Sequence, residues 1–134
     1  HEGESLAHLA DIFLSTAPEF DVVLPHIPSP VNSQLVMDAI THEHDLRHAV
    51  GRAGAQDSTA VDVALGFLLN MVDTIAPGRA QELSDSGVSR YELMRSLSGR
   101  RSIEQMNQLE LDGSQIAALL KGTPMVAPHT AVEI

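Results

Sequence analysis

Three histidines, His42, His44 and His48, fall within seven residues, with Glu43, Asp45 and Arg47 between them. On a helix, His44 and His48 stand at i and i+4, so both imidazoles can reach one ion. The turn His44-Asp-Leu-Arg-His48 has the spacing of a helical zinc pair, with Asp45 where a catalytic zinc helix carries Glu. The shorter carboxylate would sit differently as a general base. His42, two residues from His44, points to another side. A third ligand has to come from elsewhere, and His8, His26 and the acidic residues are the candidate donors. A metal held here is expected to be structural or adventitious rather than catalytic, and the sequence calls for no cofactor. The same residues also read as a solvated helix face. They read equally as a pH sensor, since three imidazoles on a turn and a half repel once charged.

A second constellation runs from Ala80 to Leu97. Two short helices joined through Gly87-Val88-Ser89 resemble the helix-turn-helix of bacterial DNA-binding proteins. In that motif the glycine allows a left-handed turn, the valine is buried and the serine caps the recognition helix. The resemblance covers about twenty residues, and it implies that Leu93 and Leu97 face inward. Tyr91 and Arg95 would face the major groove, with Arg90 near a phosphate. Arg100 and Arg101 extend the local basic patch. The match is partial, because Glu82 and Leu83 stand where the motif carries an apolar–Ala pair. A tight turn between two capped helices accounts for the same residues without DNA.

The elements that must position these groups centre on Val61 to Ile75. Asp62, Gly66, Asn70 and Asp73, at gaps of four, four and three, form one narrow polar stripe on an otherwise apolar cylinder. Such a helix belongs in the middle of a globule, with its polar stripe along a solvent seam. Gly66 on that stripe suggests the close approach of another backbone, such as a partner helix.

Other helices are expected at Glu4–Ser15, Ser33–Val50, Arg79–Ser86, Ser89–Ser98, Ser102 to about Leu109, and Ser114–Lys121. Ser89 with Glu92, and Ser102 with Gln105, have capping-box spacing. Thr59 with Asp62 has it too, with a shorter acid. In the helix through Val50, Leu35, Val36, Ala39, Ile40, Leu46, Ala49 and Val50 make the expected buried stripe. Residues 17–31 carry Pro18, Pro25, Pro28 and Pro30, a density that forbids a helix. Phe20, Val22, Val23, Leu24 and Ile27 are too apolar for a solvated linker, so an extended arm laid across the core, with a short strand at Phe20–Leu24, is expected there; the alternative is a segment that docks onto another chain. The tail, 123–134, has no period and reads as flexible or arm-like. The expected fold is all-α: a single domain over 1–134, a compact bundle of five to six helices around the helix 61–75, with the proline-rich arm outside.

Composition narrows the function classes. There is no Cys, which excludes disulfides, thiolate metal sites and cysteine nucleophiles. Three Phe, one Tyr and no Trp leave Leu, Val, Ile, Ala and Met to form the core, which favours packed helices. The formal net charge is −10, and no Lys or Arg precedes Arg47. Such a surface repels nucleic acid and anionic membranes at long range. No stretch reads as a transmembrane helix or signal peptide, and a cytoplasmic location is the simplest expectation. No phosphate-binding loop, dinucleotide turn, serine elbow or calcium loop occurs. The expectation is therefore a non-enzymatic, acidic helical module that binds another protein, as an adaptor, regulator or chaperone, with a homodimer possible. The alternatives are a DNA-binding regulator using Arg90, Tyr91 and Arg95, and a metal-binding protein using His44 and His48.

Overall fold

In a computed structural model, which describes residues 3–131, the chain is all-helical. Seven α-helices occur among the described residues: α1 (Leu6–Val23), α2 (Val31–Ala49), α3 (Thr59–Ile75), α4 (Arg79–Ser84), α5 (Arg90–Leu97), α6 (Ile103–Gln108) and α7 (Gly113–Leu120). None is long and apolar enough to cross a membrane. The chain divides into two compact units, one through Asn32 and one from Ser33.

The first unit holds α1 and a 3-10 turn at Leu24–His26. Ser5 caps α1, its hydroxyl accepting from the His8 N–H at 3.2 Å. Helix α1 carries Pro18 in its interior and continues to Val23, so residues 17–23 are helical rather than an extended arm. One proline removes one rung of the hydrogen-bond ladder. The apolar period through Phe13, Ala17, Phe20 and Leu24 runs on past it. The chain leaves helical geometry only at Ile27, ahead of Pro28 and Pro30.

The second unit is built from α2 to α7. Its core joins Val61, Ala64, Leu65, Leu68 and Val72 of α3 to Leu93, Met94 and Leu97 of α5, with Met106, Ile116 and Leu120 behind them. Helix α5 packs on both α3 and α7. The most enclosed helix is α5, whose residues 93–97 are all buried; α3 shows Gly66, Asn70 and Asp73 to solvent. The polar stripe of α3 thus lies on an exposed side. No atom comes within 4 Å of where a Cβ on Gly66 would stand, so nothing in the described chain makes the close approach expected there.

Local caps explain the short helices. Ser89 accepts from the Glu92 N–H, and Ser102 and Gln105 complete a reciprocal capping box. Asp112 opens α7 by accepting from the Gln115 N–H. Ser58, not Thr59, caps α3, and Asp62 turns instead to Arg90. Met125 and Ala127 of the C-terminal segment pack against the core; the expected tail beyond Ala131 lies outside the described residues.

Helix α2 departs from the expected face. Its buried residues are Met37, Ile40, Thr41 and His44, whereas Leu46 and Val50 are exposed. The apolar pattern misplaces the stripe because polar residues of α2 have partners inside the unit.

Candidate functional site

The buried polar centre is Arg95. Its side chain is 0% exposed. One terminal nitrogen donates to the Thr41 carbonyl at 3.0 Å, and the other lies 2.6 Å from Asp45 Oδ1. Arg100 Nη2 reaches the second carboxylate oxygen of Asp45 at 3.0 Å. Burial works to raise the pKa of Asp45, but the hydrogen bond and charge of Arg100, with the charge of Arg95, outweigh it and hold the carboxyl below its ordinary value. Burial lowers the Arg95 pKa from its usual range, against the pull of Asp45. This geometry corrects the expectation that Arg95 faces a DNA groove. A recognition helix must present one face to the duplex, and α5 spends that face on the interior. Arg90 remains on the surface, its Nη1 2.7 Å from Asp62 Oδ1 in a partly exposed pair.

Tyr91 and His44 do come together. Their rings lie 4.8 Å apart at 65°, an edge-on aromatic pair joining α5 to α2. His44 is only 3% exposed, and its Nε2 is buried without a hydrogen-bond partner. His48, one turn on, is exposed. Both histidines line a cavity of about 290 Å³ with Arg47, Gln56, Tyr91 and the loop residues Gly51 and Gly54. A neighbouring cavity of about 350 Å³ shares His48, Gln56 and Tyr91 and adds Glu92, Arg101 and Gln108. Arg101 is clamped by Glu92 through contacts of 2.7 and 3.0 Å. Among the described residues no group of three or more His, Cys, Asp or Glu is arranged to hold a metal ion, so the His44–His48 pair has no third protein ligand of those types. His42 lies instead near Asp38 and Asp45, at 3.6 and 3.5 Å.

The pKa of His44 lies below its ordinary 6.5, first because burial disfavours the charged ring and next because of the Arg95 charge. The sign of the stability effect follows. The unfolded chain takes up the proton first, so the stabilisation is full above about pH 6.5 and is lost as pH falls below that value. Urea unfolding midpoints should therefore decline from pH 7.5 to pH 5.5, and His44→Gln should flatten that decline. Parallel pH profiles for the two proteins would contradict the assignment.

A second concavity, a groove of about 690 Å³, lies between α2, α3 and the C-terminal segment. Its apolar lining is Leu35, Met37, Phe67, Met71 and Met125, and Arg100 and His42 stand among its polar members. Sequence spacing could not assemble it, because its walls come from residues ninety positions apart, Leu35 to Met125.

The fold and these sites define an all-helical domain with a buried arginine–carboxylate centre, a polar cleft at Tyr91 and a methionine-lined groove. Comparison with known proteins finds no matching family model, no matching curated protein and no matching solved structure.

Proposed function

We propose that the chain is a non-enzymatic helical interaction module that takes an apolar helix of another protein in the groove of Met37, Phe67, Met71 and Met125. The observation that carries this reading is the lining itself. Three of the five methionines of the sequence meet in one open groove. Methionine is unbranched and polarizable, so a surface made of it re-packs around a partner's side chains. An amphipathic helix laid into such a groove is a recurring mode of recognition. The strongly acidic charge elsewhere favours partners that are neutral or basic outside the docked face.

The test uses two substitutions at half-buried groove positions, Phe67→Glu and Met71→Glu. Each should abolish co-purification of the partner captured by the wild-type chain in its native source, while the far-ultraviolet circular dichroism stays unchanged. With methyl-labelled methionine, added partner should shift Met37, Met71 and Met125 and spare the core residue Met106. Equal recovery of the partner by wild type and both variants would overturn the proposal.

A further inference from the structure

We propose that the cleft astride Tyr91 is a second binding site, for an uncharged, flat small molecule with a hydrogen-bonding edge, of the aromatic amide or neutral heteroaromatic class. The two cavities that share Tyr91, His48 and Gln56 hold about 350 and 290 Å³, within reach of small-ligand pockets. His44 supplies the polar anchor. A buried ring nitrogen without a partner is destabilising, and His44 lines the cavity where a ligand can meet it. The aromatic wall is Tyr91, which borders both lobes and is steadied by the His44 ring.

Charge selects against ions. Arg101 is matched by Glu92 and Arg47 by Glu43 at 2.7 Å, so in these pairs a carboxylate finds no unmatched arginine and an ammonium no unmatched glutamate. The amides of Gln56 and Gln108 line the cleft and can each donate and accept. The loop lining the smaller lobe carries Gly51 at φ 64° and Gly54 at φ 151°, and it runs into Ala55 at φ 58°. A non-glycine residue held in the left-handed region is strained. Such conformations gather at ligand clamps.

The experiment titrates the full chain, labelled with ¹⁵N-histidine and ring-¹³C-tyrosine, with benzamide and nicotinamide, and in parallel with benzoate and benzylammonium. The neutral amides should give saturable shifts at His44 Nε2 and at the Tyr91 ring, and the two ions should bind at least tenfold more weakly. Tyr91→Leu should weaken amide binding at least tenfold. Gln56→Ala, at an exposed loop position that cannot disturb the core, should weaken it severalfold. Strictly linear shifts, shifts that leave His44 untouched, amide binding unchanged in Gln56→Ala, or benzoate binding as well as benzamide would each overturn the proposal. The groove variants Phe67→Glu and Met71→Glu should bind the amides as wild type does, which separates this site from the groove.

Discussion

Asp45→Ala should destabilise the second unit by about 3–5 kcal/mol, the cost of stranding a buried charge. The carboxylate of Asp45 is one-third exposed, but its partner Arg95 has no contact with solvent. With Asp45 gone, the Arg95 guanidinium keeps its bond to the Thr41 carbonyl and loses the Asp45 charge. Arg100, drawn in by the same carboxylate, then adds like-charge repulsion. Against a total stability of about 5–15 kcal/mol for a domain, this is a large fraction. Arg95→Met should cost much less, because an apolar side chain of similar length fills the volume without needing a counter-ion. The double variant should be more stable than Asp45→Ala alone. Urea denaturation followed by circular dichroism measures all three; an Asp45→Ala variant within 1 kcal/mol of wild type would show that the guanidinium is not isolated from water. The depressed pKa of Asp45 adds an acid limb. Its contribution is present above the ordinary value of 3.8 and is lost as pH falls through the lower folded value.

Gly99→Ala should cost about 3 kcal/mol, from two sources that add. The residue sits at φ 74° just beyond α5, where an L side chain pays about 1–2 kcal/mol. A Cβ there would also stand 2.6 Å from the Met125 carbonyl oxygen and 2.9 Å from that of Val126. These are backbone atoms, so no rotamer change relieves the contact, and forced overpacking adds about 1–3 kcal/mol. The segment 125–126 has to move, which should displace the Met125 methyl resonance. Gly66→Ala is the matched control: the position is helical, exposed and open, and should gain about 0.5–1 kcal/mol. A Gly99→Ala loss below 1 kcal/mol would mean that the C-terminal segment does not hold its place against α5.

Helix starts were legible because they are written within three or four residues. Ser89 with Glu92 and Ser102 with Gln105 each became a cap. The interior of α5 was not legible. Arg95 carries a charge, and charge reads as exposure until its counter-ion is known; that counter-ion lies fifty residues earlier, on α2. The same pairing hid the orientation of α2, turning His44 inward and Leu46 outward against the apolar pattern. His44 and Tyr91 were both singled out, but for different chemistries, and only folding shows that they share one cleft. In α1, proline weighed too heavily, because one interior Pro is tolerated where the amphipathic period continues on both sides.

Helix α2 lends a wall to the groove and to the cleft at Tyr91 alike. It lends Leu35 and Met37 to the groove, and His44 and His48 to the cleft at Tyr91. Any fluctuation that lifts α2 away therefore removes a wall from each at the same moment. A molecule seated in either concavity opposes that fluctuation and holds the other ready. Two occupants that never touch would thus each tighten the other's grip, with the coupling carried by the rigidity of one helix rather than by a change of shape.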